Sequence, residues 1–415
     1  MKSNTFKIAV GGKEDVFTIE PENLKTVLSL KFKDYSLGIF TNNGAEWTHS
    51  REMLRPNFAR DRVRDLDSFE SHVKELMENI PTDGSEIDLC DLFFRLTMDA
   101  STELLFGEST RTLSSRTEQA SGAEFALAFN RAQDFMSWLI RYGRFKIFLS
   151  HGQFKKDTKV IHDFVDKYVD KGLARREKIL SEPKSDHYLF LDEIVRQTTD
   201  RYRIRSELLN ILLAGRDTTA SLLSNVWWTL ARNPQMYARL RQEVSTLDGR
   251  QPTFDELREM KFLQAVLKES LRLHPQVPWN FREALVDTVL PLGGGKDGLS
   301  PCLVPKGTNV SWSNYAMHRR TDMFGPDAEV FRPERWLEDG LRPGWEYLPF
   351  NGGPRVCLGQ QFALNEAGYT TARLVQEFSA LKPMDPEEPW REMLTLTCVN
   401  LGGCKVSMTP ATAAH

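Results

Sequence analysis

Apolar side chains recur at helical spacing along most of this chain, and only short stretches alternate as strands do. From Leu358 onward, Phe362, Ala363, Ala367, Leu374, Val375, Phe378 and Leu381 make one apolar stripe, which predicts a long helix. The longest helical pattern runs from Ser206 to Arg232 and is stopped by Asn233-Pro234. Leu89 to Phe106 reads as a buried helix, Asp157 to Ile179 as a charged amphipathic one, and Phe262 to Leu273 as another. Phe125, Phe129, Ala132, Phe135, Met136, Leu139 and Ile140 form an aromatic-rich helix face whose plain reading is core packing. Pro21-Glu22-Asn23 starts a helix to about Leu30, with proline near the first position, where its missing N–H costs nothing. Alternation predicts a hairpin of Phe6–Val10 and Val16–Glu20 around Gly11-Gly12. It also predicts strands at Val286–Leu292, Cys302–Val304 and Asn309–Trp312, and a final hairpin from Leu394 to Met408 turning at Gly402-Gly403. The expected fold is mainly α with a small β-rich part.

Composition narrows the class. The 415 residues, with 40% hydrophobic and 10% aromatic content, support a sizeable core. A formal net charge of −3 exerts no overall pull on nucleic acid, so no nucleic-acid partner is expected. The cysteines Cys90, Cys302, Cys357, Cys398 and Cys404 are scattered, odd in number and without a C-x-x-C pair. That argues against a disulfide framework and a zinc site. No run of about 18 apolar residues exists to span a bilayer, and Met1 to Lys7 lacks the apolar stretch of a signal peptide.

The candidate chemistry centres on Phe350-Asn351-Gly352-Gly353-Pro354-Arg355-Val356-Cys357-Leu358-Gly359. The loop places Cys357 at or just before a helix start, where free N–H groups stabilise a thiolate. Glycines on both sides leave room for a flat macrocycle, and Arg355 adds a cation. These are the requirements of a haem-thiolate site, and the plainer alternative is a buried free cysteine in a turn. Trp47 and Arg51, four residues apart on one helix face, can place an indole and a guanidinium on one haem propionate; a core tryptophan beside a surface arginine is the alternative. Within the long helix lies Ala214-Gly215-Arg216-Asp217-Thr218-Thr219. A mid-helix glycine costs about 1 kcal/mol relative to alanine, which close approach of a flat ligand would explain. Thr218 can back-bond to the Ala214 carbonyl, and Asp217 with Thr218 would form an acid–alcohol pair able to pass protons to bound oxygen. Otherwise Asp217 is an exposed helix charge and Thr218 a core residue. Arg51, Arg55, Arg60, Arg62 and Arg64 are interleaved with aspartates, which favours a solvated face over a docking surface for an electron donor.

The pattern Phe350-x-x-Gly353-x-Arg355-x-Cys357-x-Gly359 resembles the haem-binding loop of the cytochrome P-450 family. The Ala214–Thr219 segment resembles that family's oxygen-activating helix. Glu269 and Arg272, followed by Phe331-Arg332-Pro333-Glu334-Arg335-Trp336, resemble its buried Glu–Arg–Arg network. The resemblance implies a single haem-thiolate domain over 1–415 without the N-terminal membrane anchor, holding haem b (iron protoporphyrin IX) with Cys357 as iron ligand. It places Trp47, Arg51, Arg282, Phe350, Gly353, Arg355 and Gly359 around the cofactor, and Asp217 and Thr218 in catalysis. It also implies a monooxygenase that inserts one atom of dioxygen into a lipophilic substrate, with electrons from a separate NADPH-cytochrome P-450 reductase, since no flavin or nicotinamide segment fits. Phe32-Lys33-Asp34-Tyr35, Phe331 to Trp336 and Tyr347 to Phe378 look most like fungal members that oxidise alkanes and fatty acids, a branch also recruited to secondary metabolism. A monomer is expected, at the endoplasmic reticulum surface if full-length relatives guide, or cytoplasmic as the chain stands. Between Gly38 and Ile39 the helix and loop that roof the haem look missing. A haem-thiolate isomerase or dehydratase, and an inactive shortened product, are the alternative functions.

Overall fold

The computed structural model describes residues 4–10, 13–35, 44–58, 66–114, 120–142, 149–181, 189–338 and 340–411. It comprises two compact units, one of Met1–Arg51 with Gln264–Gln360, the other of Glu52–Leu263 with Gln361–His415. Six helices matter for function: α1 (Gly44–Leu54), α2 (Leu89–Phe106), α3 (Ala120–Tyr142), α4 (Arg201–Arg232), α5 (Lys261–Leu273) and α6 (Gln360–Glu377). The mainly helical fold with small sheets is as the sequence implies.

The first unit holds a sheet in the order Thr5–Val10, Lys13–Thr18, Asn309–Ser313, Trp279–Glu283. The leading hairpin pairs Thr5 with Thr18 and Val10 with Lys13, while Val16 lies parallel to Val310. Val16, Leu24, Leu28, Leu290, Val304, Val310 and Trp312 form the core beneath it. The strand Trp279–Glu283 escapes the apolar pattern because the residue it buries is Arg282. Strand Thr288–Gly294 pairs with Ser300–Val304, so Gly293 and Gly294 belong to a strand and only Gly295 onward to the flexible turn the sequence suggests. The helix at Pro21–Lys25 continues to Leu30 as a π-helical turn over Thr26–Leu30.

In the second unit, α4 begins at Arg201 because the Asp200 side chain caps the N–H groups of Tyr202 and Arg203, a signal just outside the apolar stripe. It packs on α2 through Phe93 and Trp227, whose rings lie 6.3 Å apart. Phe125, Phe129 and Ala132 of α3 are core, as the plain reading holds, and Phe125 stacks on Phe164 at 4.1 Å. The charged helix starts earlier than expected, at Gly152, ends at Ala174, and resumes as Arg176–Ser181.

Two expectations are corrected at the C-terminal end. Phe378 and Leu381 do not extend α6; they lie in a strand, Phe378–Pro383, paired with Lys405–Pro410. Their spacing suits either structure, and the partner strand, far along the sequence, decides. Nor do Leu394 to Met408 form one hairpin: Glu392–Leu394 pairs with Cys398–Asn400, whereas Lys405–Pro410 also pairs with Ile87–Asp88. The turn at Gly402-Gly403 therefore joins two different sheets.

The fully buried Glu269 on α5 organises the first unit. Its carboxylate accepts from Arg272 Nε and Nη2 at 2.9 and 2.8 Å, Arg335 Nε at 3.0 Å, the Arg332 N–H at 2.8 Å and Trp336 Nε1 at 2.9 Å. Arg272 also donates to the carbonyls of His318 and Ala328 at 2.7 and 2.6 Å. The Leu348 N–H donates to His318 Nε2 at 3.0 Å, so the proton of that imidazole sits on Nδ1, facing the Arg272 carbonyl at 3.2 Å. Burial, and the cations of Arg272 and Arg319, hold His318 down to about 3, so it stays neutral. The substitution Glu269→Gln leaves the buried Arg272 guanidinium without its anion and Arg335 with Asp327 alone; breaking such a buried pair costs about 3–5 kcal/mol. Thermal unfolding of the variant is expected to show a large fall in Tm, and an unchanged melt would refute the role.

Candidate functional site

The cysteine loop is closed by its own backbone. Cys357 N–H donates to the Phe350 carbonyl at 3.0 Å, and Val356 N–H to that of Gly353 at 3.1 Å. Asn351, with φ of 64°, occupies the left-handed region, and its Oδ1 accepts from the Gly352 N–H at 3.0 Å. Gly353, φ 69°, lies so close to the π-helical turn that a Cβ there would sit 2.0 Å from the Leu28 carbonyl oxygen. A Cβ at Gly352 would meet Trp345 at 2.7 Å. The two glycines are thus required by close packing within the first unit. α6 starts at Gln360, three residues after Cys357, a little later than the sequence suggests.

Cys357 is solvent-accessible although protein surrounds it on its other sides. Those surroundings push the thiol above its ordinary pKa, while the Gly359 N–H and the Arg51 charge favour the thiolate. Arg51 also donates to the Val356 carbonyl at 3.0 Å. Arg355 lies over the rings of Trp47, at 4.1 Å, and Phe32, at 5.2 Å. Burial, then the neighbouring cations Arg282 and Arg51, pull Arg355 down to about 9. Arg282 is buried over Trp312, and desolvation pulls it to about 10. Like charges converge here.

The second unit contributes the α4 turn. Thr218 donates to the Ala214 carbonyl at 2.6 Å, the back-bond expected from the sequence. Asp217 is buried, not an exposed charge, and its Oδ1 accepts from Arg216 Nη1 at 2.7 Å. Burial raises its carboxyl and Arg216 lowers it, with a net upward shift. The two side chains thus take separate hydrogen-bond partners on α4.

The structure brings Trp47, Arg51, Arg282, Phe350, Gly353, Arg355, Cys357 and Gly359 into the first unit, with Asp217 and Thr218 on the second. Sequence reasoning missed Phe32, which stacks on both Arg355 and Trp47, because a lone aromatic among lysines carries no periodic signal. It also missed the Arg216–Asp217 pair, since adjacent helix residues do not ordinarily face one another. Of the arginine run, Arg60, Arg62 and Arg64 lie outside the described residues, as does the Gly38-Ile39 junction.

Among the described residues no group of three or more His, Cys, Asp and Glu side chains comes together to hold a metal. Gly352 and Gly353, which the sequence sets aside for a flat macrocycle, are taken up instead by packing on Trp345 and Leu28. It is the solvent-accessible thiol of Cys357, with three arginines nearby, that suits an iron arriving in a macrocycle bearing carboxylates. Such a donor set in a mainly helical chain is that of a haem-thiolate protein. The family model described as Cytochrome P450 matches residues 4–401, and the chain belongs to that family, whose cofactor is haem b. It is 45% identical to Cytochrome P450 52E1 of Candida apicola, over 93% of this chain and 80% of that protein. It is 44% identical to the monooxygenase himC of Aspergillus japonicus, over 98% of this chain and 76% of that one. Cytochrome P450 52A5 of Candida maltosa is 46% identical over 97% and 82%. The protein is a monooxygenase of this family, acting with dioxygen, a redox partner and a lipophilic substrate.

The substitution Gly353→Ala is expected to abolish haem retention, because the Leu28 carbonyl cannot yield to a Cβ in a left-handed backbone. Haem content per purified chain measures this, and a full complement in the variant would contradict it.

Proposed function

We propose that this chain hydroxylates a fatty acid, an alkane or a secondary metabolite, with electrons from NADPH-cytochrome P-450 reductase. The observation that carries the reading is Cys357, with the Gly359 N–H at its sulfur and Arg51, Arg282 and Arg355 gathered in the same unit. Haem, when bound, supplies the activation of dioxygen. Cys357 would hold its iron as a thiolate, with the Gly359 N–H and the nearby Arg51 charge tempering the sulfur's negative charge. Arg51, Arg282 and Arg355 would take the propionates, with Trp47 and Phe32 supporting Arg355 by stacking. The Phe350 carbonyl fixes the cysteine backbone, and Gly353 lets the loop seat.

Thr218 and Asp217 would move protons. The Thr218 hydroxyl, already donating to Ala214, can accept from a donor while held in place, and Asp217 would be the acid that resupplies it. Two electrons and two protons then accompany one dioxygen, one oxygen atom entering the substrate C–H bond and the other leaving as water. The substrate class rests on the resemblance to the fungal alkane and fatty-acid branch and on the similarity to the Candida and Aspergillus proteins. The reading includes one domain over 1–415, a monomer, and a place at the endoplasmic reticulum surface. Among the described residues no helix is long and apolar enough to cross a membrane.

With a reductase supplied and lipid mixtures fed, mass spectrometry is expected to find products heavier by one oxygen. Cys357→Ser is expected to remove both the products and the red-shifted Soret band of the ferrous carbon monoxide complex. Survival of that band would end the assignment.

A second reading, of a shortened and poorly coupled product, has one observation in its favour. The match to the Aspergillus protein runs over 430 positions, more than the 415 residues of this chain, so that relative carries residues absent here. A chain shortened at Gly38-Ile39 gives such a surplus. Messenger RNA with additional codons at the junction, and tighter coupling of the longer protein, are then expected; a confirmed junction with full coupling at 415 residues removes this reading.

A further inference from the structure

Two of the buried cysteines, far apart in sequence, meet at one carboxylate. Cys90 is the second residue of α2, and Cys404 immediately precedes the strand Lys405–Pro410. That strand pairs Lys405 with Asp88, and the Leu89 N–H donates to the Cys404 carbonyl at 3.0 Å, so the turn into α2 lies against Cys404. Asp88 Oδ1 accepts from the Cys90 N–H at 2.9 Å and from the Cys404 N–H at 2.8 Å. One oxygen thus gathers both backbones. A side chain at Gly403 would collide with the same carboxylate, and the left-handed backbone there, φ 74°, lets the chain pass. The thiols are neighbours as well. Burial holds that of Cys404 well above its ordinary pKa, and of the charged neighbours that add to this Cys90 comes first, ahead of Asp88.

We propose that Cys90 and Cys404 form a dithiol site that hydrogen peroxide oxidises to a disulfide, clasping the start of α2 to the sheet of Lys405–Pro410. A monooxygenase meets this oxidant whenever dioxygen takes up two electrons and two protons without oxidising substrate. Cys90, 8% exposed against 1% for Cys404 and at a helix start, reacts first. Its sulfur attacks one peroxide oxygen, the O–O bond breaks, and a sulfenic acid and one water result. The Cys404 sulfur then displaces the hydroxyl from that sulfenic acid, forming the S–S bond and releasing a second water. Two thiols are oxidised, one peroxide is reduced to two waters, and the thiol protons leave in that water. Burial pushes the Cys90 thiol up to about 12, against a hydrogen bond from Ser224, so the reaction is slow and answers sustained peroxide. The clasp joins α2, which packs on α4, to a sheet whose strand Phe378–Pro383 follows α6 directly. In the unfolded state it closes a loop of most of the chain, and the entropy so removed stabilises the fold.

The test exposes the haem-loaded protein, first reduced and freed of reductant, to hydrogen peroxide, then unfolds it in iodoacetamide and digests it. Mass spectrometry is expected to find, in most chains, a linked peptide holding Cys90 and Cys404. It should be lighter than the two separate peptides by two hydrogens and disappear on treatment with dithiothreitol. Cys90→Ala and Cys404→Ala are each expected to remove it. The oxidised protein is expected to melt higher than the reduced one, and either variant to lose that rise. Recovery of Cys90 and Cys404 as separate alkylated or over-oxidised peptides overturns the site, and a linked peptide with no upward shift in Tm overturns the clasp. The digest of the unsubstituted protein decides the first point whether or not a variant folds.

Discussion

A carboxylate removed from water must find cations and N–H donors or it will not stay charged, and Glu269 is the place where this constraint shapes the protein. Two arginines, a backbone N–H and an indole N–H meet it. Because Arg272 is anchored there, its remaining nitrogen, Nη1, ties down the carbonyls of His318 and Ala328. His318 then offers Nε2 to Leu348, two residues before the cysteine loop begins. Rigidity passes from the buried Glu269 to the edge of the cysteine loop through Arg272, His318 and Leu348.

The other arginine group in the same unit is of the opposite kind. Arg272 and Arg335 have their anion within the protein, whereas Arg51, Arg282 and Arg355 crowd one another and are stacked on aromatic faces. Aromatic stacking holds a guanidinium in place without neutralising it.

The pieces legible in the sequence are those whose signal is local. The Thr218 back-bond and the Glu269–Arg272 spacing each need only a few adjacent residues and take the expected form, whereas the Cys357 loop sets its glycines against Leu28 and Trp345 rather than leaving them open. The ends of elements were less legible wherever a distant partner decides them. Phe378 could be helix or strand until Thr409 and Pro410 are beside it. Trp279–Glu283 buries an arginine and so inverts the usual pattern of a strand. The orientation of Asp217 depends on Arg216 and on α3, nearly a hundred residues earlier, and no spacing rule reports such a meeting.

The contact of Gly353 with the Leu28 carbonyl joins the beginning of the chain to a point near its end. A contact of such sequence separation forms late, since the intervening chain must already be arranged. During synthesis on the ribosome, Leu28 emerges long before Gly353, so the leading hairpin and the π-helical turn wait, without the cysteine loop, for most of translation. On the proposed cofactor site, capture of the cofactor therefore belongs to the last stage of the protein's biogenesis. A cell short of haem would accumulate chains complete in length and lacking only the prosthetic group, rather than chains arrested partway.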